Sequence, residues 1–456
     1  MAKGSLSIKI SLTGLLVLIE LWYYFTQETL VLRPMAYVAW ILFALYGLVR
    51  IITNRVYNRN TVFFLLLLLC VFGMLTSGVF SVDTNSSMQV IMQSFTFFLA
   101  GIVMLFKKEE RYYYKYLSLF STLFLGIIFL EFILPEMYLS IIEPLLPSSY
   151  AAARSRLRTV DGVYIGLANQ TSVTEFLLHI GIAVCVFKLA VTGEEKTKII
   201  RFIPVILFVV GLLLTNRRGG VLVALFLLAL FLFLNKRTKT TATILIVILV
   251  LLLLYAGSDI VPGLSNILEK IDMNKDDVSH GRLEIWATIL SPGSIKWFAG
   301  NGIGTLSSHL SKIVGTASAH NAYLQLLYEI GILGTMAYIA PSIYTVIKGI
   351  KLFFRFKDDA QETLLFAEVS FCLYIQLMIL IFSFFEATLT DPPVMFVLAP
   401  AQLKIALISM EYSVKNAQQS DLGYSYKMVD CGRHSEHWCS LSRFCNTAAP
   451  DFNKEF

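Results

Sequence analysis

The sequence predicts an all-α, polytopic integral membrane protein with about twelve transmembrane helices and a large extracytoplasmic loop between the ninth and tenth. Three observations carry that prediction. The chain of 456 residues is 56% hydrophobic and 15% charged, with a mean hydropathy of +0.70, whereas soluble domains carry about 25% charged residues. Runs such as Val62 to Cys70, Phe202 to Leu214 and Ile244 to Tyr255 contain no charge, and in hydrocarbon such runs must satisfy their own backbone as helices. The alternation of a membrane barrel is absent. Before the C-terminal tail, polarity is concentrated in one long stretch, residues 258–320.

Taken in order, Lys3 and Lys9 precede an apolar run from Ile10 to Phe25. No small-residue cleavage site follows it, so the run is expected to stay as a first helix. Spans are expected near 10–25, 35–52, 61–80, 90–106, 116–134, 172–190, 202–215, 219–234, 242–257, 321–347, 364–386 and 394–411. This gives 1–257 as nine helices with short loops, 258–320 as the large loop, 321–411 as three further helices and 412–456 as a tail.

Lysine and arginine set the orientation. Arg50, Arg55 and Arg59; Lys107, Lys108, Arg111 and Lys115; Lys188, Lys196, Lys198 and Arg201; Lys236, Arg237 and Lys239; and Lys348, Lys351, Arg355 and Lys357 fall on alternate connections. Those connections are expected in the cytoplasm, with both termini, and the 258–320 loop outside. The formal net charge of +6 is thereby used mostly for orientation and alone decides nothing about partners; no nucleic-acid partner is expected.

Against that rule the outward cations stand out: Arg154, Arg156 and Arg158, then Arg217 and Arg218 in a very short turn, then Arg282 in the large loop. Guanidinium forks match phosphate oxygens and stay charged at any working pH. The 154/156/158 spacing puts three of them on one side of an extended segment, while a helix fans them about 100° per residue. Phosphate binding competes with lipid head groups and with pairing to Glu136, Glu143 or Asp161.

Several ionisable residues fall inside predicted spans, among them Glu20, Glu131, Glu175, His179, Glu329, Glu368 and Glu386, and such groups usually turn to a bundle interior or a wet cavity. Glu175 and His179 share a helix face, as do Asn321, Gln325 and Glu329. The second set supports either a site or interhelical hydrogen bonding. His320, where the loop meets the tenth span, could accept a proton from a hydroxyl near neutral pH or cap the helix. Gly300-Asn301-Gly302-Ile303-Gly304 lacks the Lys-Ser/Thr ending of a phosphate-binding loop and reads as a turn rather than a nucleotide site.

Together, Arg282-x3-Trp286, the Gly302-x-Gly304 turn and His320-Asn321-x-Tyr323-Leu324-Gln325-x3-Glu329-x-Gly331-Ile332-x-Gly334 resemble the signature of the bacterial O-antigen ligase and O-antigen polymerase superfamily. Thr215-Asn216-Arg217-Arg218-Gly219-Gly220 is similar to its Ser/Thr-Arg-Gly-Gly element, and Asn169 to its loop-to-helix asparagine. The resemblance covers about residues 150–345 by motif and the remainder by topology. It implies a metal-independent glycosyltransferase in the bacterial cytoplasmic membrane, without cofactor, acting on undecaprenyl-diphosphate-linked glycan. It also implies Arg217 or Arg218, with Arg282, for the diphosphate and His320 for the acceptor hydroxyl.

Polymerisation of lipid-linked repeat units into O-antigen, capsule or exopolysaccharide is the leading expectation. Ligation of the finished glycan to lipid A core is the alternative, and transport of a lipid-linked sugar the second. Transporters commonly show inverted repeats, and no repeat relates the two halves here. Membrane lipids, a flippase and a chain-length regulator are the further partners expected. The tail from Gln418, with Cys431, His434, His437, Cys439 and Cys445, lacks the spacing of a standard zinc site, so no metal is expected there.

Overall fold

The structure is a computed structural model that describes residues 32–53, 60–103, 108–146, 151–159, 162–168, 170–191, 195–234, 281–315, 318–359, 361–391 and 394–429. The expected spans at 10–25 and 242–257, residues 258–280 of the large loop, Asn169, Asp161 and the cysteines of the tail lie outside them.

Every regular element among the described residues is a helix. In order these are α1 (Leu32–Thr53), α2 (Thr61–Val79), α3 (Thr84–Val103), α4 (Lys108–Ile133), α5 (Pro135–Ile141), α6 (Ala151–Thr159), α7 (Thr171–Val191), α8 (Glu195–Leu214) and α9 (Arg218–Leu234). The loop contributes α10 (Arg282–Ile289) and α11 (Leu306–Ile313), and α12 (Ala322–Phe356), α13 (Thr363–Phe382) and α14 (Met395–Val429) follow.

Among the described residues, six segments are long and apolar enough to cross a membrane: Thr61–Val79, Tyr113–Ile133, Thr171–Val191, Ala322–Phe356, Thr363–Phe382 and Met395–Val414. Val38–Thr53, Phe202–Leu214 and Gly219–Leu234 are apolar but shorter. Helix α3, expected as a span at 90–106, begins at Thr84 and carries Asn85, Ser86, Ser87, Gln89, Gln93 and Ser94, and it is not among these candidates. Helix continues through Val429, where a tail was expected from 412. The chain divides into two compact units, Met1–Ser409 and Met410–Phe456. The first unit holds α1 to α13, the large loop and the start of α14.

Helix α7 is buried on nearly all sides, which marks it as the centre of the bundle. Helices α4, α8, α9 and α13 pack on it, α12 packs along both α2 and α13, and α1 packs on α3. On α1 and α2 the outward residues Ile41, Leu42, Leu45, Leu65, Leu68, Leu69 and Phe72 remain exposed. A patch of that size suits lipid rather than water.

Helix direction places the starts of α7, α9 and α12 and the ends of α8 and α13 at one end of the bundle, beside the 281–320 loop. Arg50, Lys188 and Arg355 lie in last turns at the other end.

The described part of the large loop, 281–315 and 318–320, is a folded cap. Ile285, Ile289, Ile295, Leu306, Leu310 and Ala319 form a small core with Tyr328 of α12. Beneath it α12 is broken at Gly331, whose φ of 68° and ψ of −179° leave the helical region, a conformation natural to glycine. In an unbroken helix the carbonyls of Tyr328 and Glu329 would accept from Ile332 and Leu333. Instead Tyr328 accepts from the amide of Asn301 at 2.9 Å, Glu329 accepts from the amide of Gly302 at 2.8 Å, and Ile332 donates to the carbonyl of Trp297 at 2.7 Å. The Ser77 hydroxyl adds a second bond to the Glu329 carbonyl at 2.7 Å. The glycine-rich segment is therefore backbone ladder docked on a broken helix.

Candidate functional site

Four short pieces of chain converge at the loop end of the bundle. The first is the α8–α9 turn. Asn216 takes a positive φ of 52°, so the chain reverses within Thr215-Asn216-Arg217. Helix α9 then starts close against its neighbours: a Cβ on Gly219 would sit 3.3 Å from Phe385, and one on Gly220 3.0 Å from the Glu175 carboxyl. Glycine at both positions brings Arg217 to the residues after α13. The Arg217 Nε donates to Thr171 Oγ1 at 2.9 Å, fixing the guanidinium on the first residue of α7.

The second piece is α10. Arg282 opens the helix and Trp286 follows one turn later. The indole of Trp286 donates to the carbonyl of Ala319 at 2.9 Å.

The third is the entry to α12. His320 has a positive φ of 48°. Asn321 is extended and caps the helix, accepting from the amides of Tyr323 and Leu324, so its polarity goes to the helix end. Ala322 donates its amide to the carbonyl of Ser383 at 2.9 Å, and Tyr323 its hydroxyl to that of Leu380 at 2.6 Å. These two bonds fasten the start of α12 to the end of α13.

The fourth piece, the turn that follows α13, carries Glu386. Its Oε1 lies 3.1 Å from Nη1 of Arg217 and 3.9 Å from Nη2 of Arg282, and its Oε2 lies 3.1 Å from Nδ1 of His320. Burial alone would push this carboxyl up. The hydrogen bond from His320 and the charges of Arg217, His320 and Arg282 outweigh it and hold the group below the ordinary value of 4.5, so it is ionised at neutral pH. With a proton on Nδ1 of His320 this contact is a hydrogen bond to the carboxylate, and in that neutral tautomer Nε2 is the acceptor.

Of the residues singled out in sequence, Arg217, Arg282 and His320 are thus brought together. The side chain of Arg218 is outside the described residues. Gln325 Nε2 donates to Glu329 Oε1 at 3.2 Å, and that oxygen accepts from the amide of Leu306 at 3.3 Å. Both residues hold the start of α11 onto α12. Glu175 and His179 are buried in α7, Glu175 3.5 Å from the Thr215 hydroxyl and His179 beside Tyr374 and Phe382. Glu368 pairs with Lys404 of α14 at 3.1 Å.

Arg154, Arg156 and Arg158 lie on α6. Their segment is helical, so the three fan out: Arg154 is buried, Arg156 exposed and Arg158 intermediate. Nη1 of Arg158 lies 3.6 Å from Oε1 of Glu131 and 3.4 Å from Oε2 of Glu143. The other Glu131 oxygen accepts from the amides of Ile165 and Gly166 at 3.1 and 2.8 Å. These bonds fasten the 162–168 segment to α4.

Glu386 was named in sequence among the ionisable residues of predicted spans but was given no role at the site. It was visible as an ionisable group at the end of a predicted span, a placement that by itself signals function. What the sequence lacked was the fastening of α12 to α13 that sets it against His320.

Residues 203–339 match the family model described as O-Antigen ligase, a segment that includes Arg217, Arg282 and His320 and ends before Glu386. No curated protein matches the chain.

Proposed function

We propose, from the match of residues 203–339 to the family model described as O-Antigen ligase, that this chain is a polymerase that joins undecaprenyl-diphosphate-linked repeat units into a surface polysaccharide. The observation that supports this most is the meeting of Arg217, Arg282 and His320 around one carboxylate. Two guanidinium groups suit a diphosphate, and a neutral imidazole nitrogen beside them suits a hydroxyl that must lose its proton.

In this reading Arg217 and Arg282 take the donor's diphosphate. The acceptor hydroxyl oxygen bonds to the anomeric carbon of the donor sugar, and the bond from that carbon to the diphosphate oxygen breaks. The electron pair leaves with undecaprenyl diphosphate, whose charge the arginines stabilise. The hydroxyl proton passes to Nε2 of His320.

In this reading the end that carries Arg50, Lys188 and Arg355 faces the cytoplasm, as the positive-inside rule favours, and the cluster faces outward from a bacterial cytoplasmic membrane. Polymerase is the leading reading and ligase the alternative, since both would use the same residues. A flippase would supply the donor, and a chain-length regulator would act with the enzyme.

The test is reconstitution of the purified protein with the lipid-linked repeat unit and no added metal. A ladder of repeats supports polymerase. Product only after lipid A core is added means ligase. No product from a competent donor under either condition moves transport to the front.

A further inference from the structure

Glu386 does two things with its two oxygens. Oε1 faces Arg217 at 3.1 Å and Arg282 at 3.9 Å, and Oε2 holds Nδ1 of His320 at 3.1 Å. A carboxylate set between two guanidinium groups occupies the place that phosphate oxygens would take. The arginine side chains are 37% and 29% exposed and that of His320 30%, while that of Glu386 is 11% exposed. A diphosphate can therefore reach the cations, with the carboxylate recessed behind them.

The strengths of the contacts are graded. Arg282 sits beyond hydrogen-bond distance of the carboxylate, so it loses little on turning to a phosphate. Arg217 keeps its Nε on Thr171 and needs to redirect only its outer nitrogens. The His320–Glu386 contact is fixed from behind by Ala322 to Ser383 and Tyr323 to Leu380, and it does not depend on either arginine.

We infer that Glu386 is a positioning residue that stands in for the donor's diphosphate in the empty enzyme. When donor arrives, the arginines transfer to the diphosphate and Glu386 acts on His320 alone. With the arginines on the diphosphate, the carboxylate's charge bears on the imidazole alone, so its full hold on Nδ1 coincides with the presence of a donor. This inference rests on the reading that the arginines hold the diphosphate and that His320 takes the acceptor proton. The charged groups facing the pair from neighbouring elements are Arg217 from the α8–α9 turn, Arg282 from α10 and Glu175 from α7.

The experiment compares the full-length wild type with Glu386→Gln and Glu386→Asp in detergent. The donor is the lipid-linked repeat unit extracted from a source strain from which this chain has been deleted, and the rate of transfer is followed against pH. The amide of Glu386→Gln keeps the shape and removes the charge. It should lower kcat by about 10²-fold, leave the donor KM unchanged or lower it, and move the acid limb of the kcat profile to lower pH. Glu386→Asp restores a carboxylate and should return the acid limb to its wild-type position.

An acid limb that does not move in Glu386→Gln, or that moves equally in Glu386→Asp, overturns the inference. If Glu386→Gln does not fold, the inference stands or falls on Glu386→Asp: a lower kcat with an unmoved acid limb supports it. Failure of the underlying reading looks different. In that case Arg217→Ala and His320→Ala transfer glycan at near wild-type rates, whatever Glu386 does.

Discussion

The indole of Trp286 donates to the carbonyl of Ala319 at 2.9 Å, so the helix that begins with Arg282 is tied to the residue preceding His320. Phenylalanine at 286 would keep the ring and lose the bond. One hydrogen bond contributes about 1 kcal/mol, so Trp286→Phe is expected to cut transfer about fivefold. The protein should remain in the membrane at its normal level, as a blot of the membrane fraction would show. An unchanged rate would mean that the loop core alone positions the two residues.

Arg217 and Arg158 should fail in different ways. Arg217→Ala is expected to abolish transfer with little change in thermal stability, because the guanidinium is partly exposed and three other groups contact Glu386 or its turn. Arg158→Ala leaves Glu131, whose side chain is 1% exposed, with its charge partner gone. Loss of one partner of a buried pair costs about 3 kcal/mol. Unfolding followed in detergent should show that loss, and whatever Arg158→Ala protein remains folded should still transfer. A stable but inactive Arg158→Ala protein would return that arginine to the substrate.

Gly331→Ala is expected to be strongly destabilising. Its φ of 68° is costly for alanine, and the added Cβ would lie 2.5 Å from the carbonyl oxygen of Phe298 and 2.8 Å from the amide of Gly300. The two faults together should exceed about 3 kcal/mol, readable as loss of folded protein on fluorescence-detected size exclusion. Normal yield and melting would mean that the docked loop can retreat freely.

The acid side of the stability curve follows from Glu386. Its carboxyl is held below the ordinary value of 4.5 by His320 and the two arginines, against the opposing effect of burial. A depressed carboxyl contributes stability that is fully present above the unfolded value and is lost as pH falls through the folded one. Melting temperature should therefore hold from neutral pH down to about 5 and decline below 4.5. Glu386→Gln should flatten that decline. An equally steep fall in both proteins would assign the acid sensitivity to other groups.

Much of this was legible in the sequence. Membrane helices are set by composition, and Arg217, Arg282 and His320 stood out because outward cations and a histidine at a membrane edge are uncommon there. Local spacing was less informative. Arg154, Arg156 and Arg158 lie together in sequence, yet helix geometry sends them in different directions. Asn321 and Glu329 share a helix face with Gln325, but one caps its own helix and the other fastens α11. Glu386 illustrates what sequence lacks: its role depends on His320, 66 residues away, and on α12 being fastened to α13. The break at Gly331 was likewise not marked in the sequence, where Gly331 falls within a run long enough to be read as one continuous span.

That break has a consequence for biogenesis. Residues 281–315 are synthesised before α12, and the Tyr328 and Glu329 carbonyls acquire their amide partners only when that earlier segment folds back onto the helix. Lipid offers no substitute donors, the Ser77 hydroxyl reaches the Glu329 carbonyl alone, and the amides of Ile332 and Leu333 reach the two carbonyls only if α12 runs straight. Completion of α12 and folding of the cap are therefore one event, and a lesion in the cap should be met by membrane quality control as an unfinished helix, well before it is noticed as a missing activity.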